Sequence, residues 1–195
     1  MRRAWARTAA SGPSRAARAL RVSTVLVTAL LPARAKAGSS ADELVLQARA
    51  HEATHEEDVA VRRYTDALTI DPTNRDAWLG LGGLRVRLGD LLEAERVYSA
   101  ALARVPSLHP ALEGRARARW ELGRHVEAEK DLEAYANLVG DVAALRELAK
   151  WFGDDGRTPA QLATWRRLLS AATTVGDPAF EAEARRMVRA LVIMV

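Results

Sequence analysis

His51, Glu52 and His55 are the residues of this chain whose types and spacing could do bond chemistry. With Ala53 and Thr54 between them they spell H-E-x-x-H. On an unbroken helix, residues four apart are neighbours, so both imidazoles could hold zinc while Glu52 serves as general base on a zinc-bound water. No third ligand is evident, although Glu56, Glu57 and Asp58 follow closely and could contribute a carboxylate. Two features weigh against this. Proteases of this kind set the helix beside a substrate-binding sheet, and the sequence has no strand pattern. The chain also lacks G-x-S-x-G, P-loop and dinucleotide fingerprints, so no second chemistry supports the first. Whether the two histidines share a face depends on the element that carries them.

That element is read best from Ala77 to Pro106. Trp78, Leu81, Gly82 and Arg85 fall at i, i+3, i+4 and i+7, one face of a helix. Gly89-Asp90 breaks the run, with Asp90 as expected cap of a second helix and Glu93 completing a capping box. Ala94, Tyr98 and Ala101 mark the inner face of that helix, and Pro106 stops it. A lone pair of such helices cannot bury both faces, so it needs neighbours. A shift of 34 residues back sets Pro106 on Pro72, Ala101 on Ala67, Tyr98 on Tyr64, Ala94 on Ala60 and Gly82 on Ala48. A shift of 34 forward sets Gly89 on Gly123, Ala94 on Ala128, Gly82 on Ala116 and Tyr98 on Leu132. In this register His55 falls with Gly89 and Gly123, in the turn that ends the first helix.

A period of 34 with W-x2-L-G, then A-x3-Y-x2-A and a closing proline, resembles the tetratricopeptide repeat (TPR) family over residues 41–176. The resemblance implies an all-α fold, a right-handed α-solenoid of antiparallel helix pairs. About four repeats are expected, at 41–74, 75–108, 109–141 and 142–176, with a C-terminal capping helix in 177–195. In the fourth, Gly153 and Gly156 should break the first helix, Thr158-Pro159 should start the second as cap and first helical residue, and Gln161 replaces the usual small residue and loosens the packing. Asp177 should cap the last helix, whose inner side is Phe180, Ala184, Met187, Val188 and Leu191. The apolar end, Leu191 to Val195, is expected to fold back on the fourth repeat, with self-association as the alternative.

Charge is divided unevenly. The chain has 195 residues and a formal charge of +4, from 29 basic and 25 acidic residues. Eight of the basic residues and none of the acids lie in 1–37, which leaves 21 against 25, or −4, for the remainder. A nucleic-acid reader would carry its positive charge on the folded domain, so no nucleic acid is expected. The leader has a basic stretch, an apolar run of ten from Val22 to Leu31, and Ala35-Lys36-Ala37 before the linker 38–40. This is the layout of a secretory signal peptide, so export to a periplasmic or envelope compartment is expected; a disordered basic extension on a cytoplasmic protein is the alternative. The run is too short to span a membrane, so no stable span is expected after leader removal. The chain has no cysteine, hence neither disulfides nor thiolate metal sites.

The sequence thus points away from an enzyme, and no cofactor is expected. The resemblance implies that the first helices line a hollow which takes a peptide or a partner protein. The residues placed on that side are Arg49, Leu79, Val86, Arg87, Glu113, Arg117, Trp120, Arg146 and Lys150, with Val45 beside Arg49. Trp120 and Leu79 are expected to anchor apolar groups, and the basic residues to read carboxylates. The carboxylate clamp of chaperone-binding members needs asparagines where this chain has Arg49, Gly83 and Arg117, which speaks against that particular partner. The alternative function is a zinc-dependent hydrolase built on His51, Glu52 and His55.

Overall fold

The helix ends are set by backbone geometry that recurs from pair to pair. In the computed structural model, which describes residues 40–194, nine helices follow one another among the described residues. They are α1 (Ala41–Ala53), α2 (Glu57–Ile70), α3 (Arg75–Arg87), α4 (Leu91–Arg104), α5 (Pro110–Glu121), α6 (His125–Val139), α7 (Val142–Asp154), α8 (Thr158–Val175) and α9 (Pro178–Val192). The expectations for 1–37, and for 38–39 of the linker, lie outside the described residues. Successive helices pack as antiparallel hairpins, α1 on α2 through α7 on α8, and each hairpin packs on the next. The result is a solenoid of TPR-type repeats closed by α9.

Each first helix stops the same way. One residue turns left-handed, Gly89 at φ +77°, Gly123 at +74° and Gly156 at +67°. The next N–H then donates to the carbonyl five residues back, in Asp90→Arg85, Arg124→Arg119 and Arg157→Phe152, at 2.7–2.9 Å. This closing bond satisfies carbonyls that the helix end would leave unpaired. It also corrects two sequence-based expectations. The Asp90 side chain does not cap α4; it accepts from Arg85 at 2.8 Å. Thr158 is the first residue of α8 and not its cap, which is Arg157. Side-chain caps are made instead by Ser40, Asn74, Asp141 and Asp177, each accepting from a first-turn N–H.

Large side chains on the second helices wedge between successive first helices. Tyr64, Tyr98, Leu132 and Trp165 are all at least 95% buried. A Cβ on Gly82 would lie 2.5 Å from the Tyr98 ring, and Gly114 of the next repeat abuts the other side of that ring. Gly80 leaves the same room for Tyr64. Gly153, expected as a breaker, lies inside α7; a Cβ there would strike Gln161, so the missing side chain makes space for the large one. Trp78 is half-buried, and its indole N–H donates to the Pro72 carbonyl at 2.9 Å.

The chain end departs from expectation. Leu191 is buried, but Val192, Ile193 and Met194 are 50%, 88% and 75% exposed. The described residues after Leu191 stay in solvent instead of folding back, because Leu191 is the last residue on the stripe begun by Phe180, Ala184 and Met187.

Candidate functional site

The turn at His55 splits the H-E-x-x-H segment. His51 sits in the last turn of α1, whereas His55 lies beyond its end at φ +58°, the left-handed place that glycine fills in later repeats. The two imidazoles therefore leave the backbone in different directions. His51 Nδ1 lies 2.5 Å from Glu56 Oε2, and the His55 ring is 90% exposed with Glu57 3.8 Å away. Both Glu52 oxygens are occupied, one accepting from the Tyr64 hydroxyl at 2.5 Å and the other from Arg87. Burial and the Glu52 carboxylate push the Tyr64 hydroxyl above its ordinary range. Among the described residues no cluster of three or more His, Asp or Glu could hold a metal ion.

The residues assigned to the first-helix face fall into two groups. In the N-terminal half the charges neutralise one another: Arg49 pairs with Asp76 at 3.3 Å and Arg87 with Glu52. Leu79 and Val86 pack half-buried against the core around Tyr98. Val45, expected on the open side, is buried. The apolar residues here serve the fold.

The C-terminal half also pairs its arginines but leaves one lysine over. Arg117 forks onto Glu147 of α7, at 3.0 and 2.8 Å, and also meets Glu113 at 2.8 Å. These bonds, that to Glu147 foremost, raise an already high Arg117 pKa. Arg146 reaches Glu183 of α9 at 3.5 Å and lies 5.4 Å over the Phe180 ring. Lys150 is exposed and has no ion-pair partner among the described residues. Between α5 and α7 these side chains border a cleft of about 280 Å³, lined by Arg117, Arg146, Glu147, Lys150, Trp151 and Asp154.

Trp120 is not the free anchor its position suggested. Its ring stacks on Trp151 at 4.5 Å and 6°, and on His125 at 4.0 Å and 17°. His125 is held in turn by Asp155 at 3.0 Å. Both faces of the Trp120 ring are thus covered, and the aromatic wall of the cleft is Trp151, only 6% exposed. Trp151 escaped the sequence reading because its neighbour Phe152 occupies the regular inward position. Only the 31-residue spacing from Trp120, close to one repeat, hinted at a stack.

Two stretches of the chain, 45–109 and 84–141, match the model of the tetratricopeptide repeat family. The chain belongs to the TPR family. Solved structures agree on the fold. A TPR domain described as "First TPR of Spaghetti (RPAP3) bound to HSP90 peptide SRMEEVD" is 26% identical, with 60% of this chain and 94% of that one covered and a TM-score of 0.56. MamA is 16% identical over 80% of this chain and 91% of its own, with a TM-score of 0.62. A TPR protein from Parabacteroides merdae is 18% identical over 75% of this chain and 58% of its own, with a TM-score of 0.60. No curated protein sequence matches the chain. Among the described residues no helix of this TPR protein is long and apolar enough to cross a membrane.

Proposed function

We propose that this TPR protein is a non-enzymatic scaffold that holds a segment of a partner protein on its first-helix face, at the cleft between α5 and α7. The observation that carries this reading is the cleft itself. It sets Lys150, unpaired among the described residues, beside Trp151 and beside Arg117 and Arg146, whose charges are shared with Glu147 and Glu183. An aromatic wall with convergent cations offers both apolar contact and orientation to a peptide carrying carboxylates. The RPAP3 TPR domain, similar in fold and 26% identical, is one described as bound to a peptide. The rest of the architecture supports shape over bond chemistry: the one catalytic motif is pulled apart by the turn at His55.

A photo-crosslinking side chain placed at Lys150 tests this in cells. It should trap a partner protein, whereas the same side chain at the exposed Arg166 of α8 should not. Equal trapping at both sites, or trapping at neither, would remove the proposal.

A further inference from the structure

Helix α9 repeats the register of a first helix. Phe180, Ala184 and Met187 have the spacing of Trp78, Gly82 and Arg85, and of Leu145, Ala149 and Phe152. Ala184 is fully buried, as are Ala116 and Ala149 at the equivalent places. Ala182 stands where Gly80 and Gly114 stand in the register, and it is exposed. The bonds across the face agree. Arg49 of α1 reaches Asp76 of α3, Arg117 of α5 reaches Glu147 of α7, and Arg146 of α7 reaches Glu183 of α9.

We infer that α9 is the first helix of a fifth, half repeat, and that its arginine-bearing side continues the cleft at Lys150 into one basic track for an extended acidic segment of a partner protein. This rests on the scaffold reading above and names the partner's chemistry. The side of α9 in question borders a second recess of about 450 Å³, lined by Pro178, Glu181, Ala182, Arg185, Arg186 and Arg189. Its one acid, Glu181, is tied to Arg185. Arg186 and Arg189 have no ion-pair partner among the described residues, and neither has Lys150. The excess positive charge is local, because the chain beyond residue 37 is net negative. A patch that opposes the sign of its own domain selects partners of the domain's sign, and it acts on encounter rate and orientation as much as on affinity.

Val192, Ile193 and Met194 are exposed beyond these arginines, so an anionic bilayer is the rival occupant. The cleft favours a peptide: cations set around a recess with a Trp151 wall suit side chains entering one at a time, not a layer of headgroups.

The test uses the full chain, a fluorescent glutamate-rich peptide, a glutamine-rich peptide of the same length, and vesicles with and without phosphatidylserine. The acidic peptide should bind, more weakly as salt rises, and the neutral one should not. Arg185→Glu with Arg189→Glu should weaken binding by about tenfold, and Lys150→Glu should weaken it too. Arg62→Glu with Arg166→Glu makes the same change of net charge on exposed second-helix positions and should leave binding within about twofold. Helicity by circular dichroism checks folding, and Arg185→Gln with Arg189→Gln gives a milder pair that must shift affinity in the same direction. If Lys150→Glu weakens binding and the α9 pairs do not, the extension fails while the scaffold reading stands. If the acidic peptide binds no better than the neutral one, the acidic partner is wrong. If vesicles with phosphatidylserine bind through Arg185 and Arg189 and the peptide does not bind, the track belongs to a membrane surface.

Discussion

At position 55 an imidazole stands in the left-handed backbone region that glycine fills at 89, 123 and 156. A side chain there crowds the following carbonyl, at roughly 1–2 kcal/mol, and the exposed ring returns little, since its nearest acid is 3.8 Å away. His55→Gly should therefore stabilise the protein by about 0.5–1 kcal/mol after the added chain entropy of glycine is subtracted. A urea titration reads this as a raised midpoint at unchanged slope. Glu95 is the other residue whose surroundings make a prediction. It accepts from Arg119 at 2.9 Å and from Arg124 at 2.5 Å, and Arg119 also bonds the buried Asp131, which Arg115 grips with two bonds of 2.7 Å. Burial pushes the Glu95 pKa up, but the two guanidiniums outweigh it and hold the carboxyl below its ordinary value. A depressed folded value means that the stabilisation is complete above the unfolded pKa, about 4.3, and is lost as pH falls through the folded value. Glu95→Gln should be less stable than wild type at neutral pH and should lose less on acidification below about pH 4.3. Urea midpoints at pH 7 and in the acid limb check both halves.

Among elements, the contact that sets hairpin spacing is a ring against a missing side chain. Tyr98 lies between Gly82 of its own repeat and Gly114 of the next. Gly82→Ala puts a methyl 2.5 Å from the ring and should cost about 1–3 kcal/mol by overpacking. In the third repeat Leu132 occupies the place of the tyrosine and Ala116 that of Gly82, and both are fully buried. The alanine should accordingly be tolerated once Tyr98→Leu is present, so a double-mutant cycle should show positive coupling; simple additivity would mean the ring does not set the spacing. This pairing marks how far sequence reading reached. The period of 34 exposed the helix pairs and the inner residues Ala94, Tyr98 and Ala101, because burial demands the same small and large types in every repeat. It hid Asp90, whose carboxylate suits a cap but is taken by Arg85, and Gly153, which serves space and not a break. The candidate face was legible as positions on a helix. Which of its cations are already spent on Glu52, Asp76 or Glu147, and that Trp151 covers one face of Trp120, depends on side chains about thirty residues away and has no local signal.

For the whole molecule the core is a series of neighbour contacts. Buried residues gather in three clusters, one around Tyr64, one around Tyr98, and one that runs from Ala116 and Leu132 through Trp165 to Leu191. In such an array stability is a sum of repeat and interface contributions, so weakening one interface lets the two sides separate in stability. The Trp120 stack on Trp151 and His125 is the aromatic joint between the third and fourth repeats. Trp120→Ala removes both stacks and leaves the Leu148 and Leu132 packing in place. It should cost about 2–3 kcal/mol, below the range for a fully buried tryptophan because one edge of the ring is open. The loss should fall on one side. Amides of α7, α8 and α9 should exchange faster by hydrogen exchange mass spectrometry, while those of α1 to α4 keep their protection. Uniform acceleration along the chain would mean that the repeats unfold as one block. The joint would then hold the candidate cleft no more firmly than the rest. Acceleration confined to α7–α9 would show that Trp120 acts as the brace that keeps Lys150 and Arg146 set against Arg117.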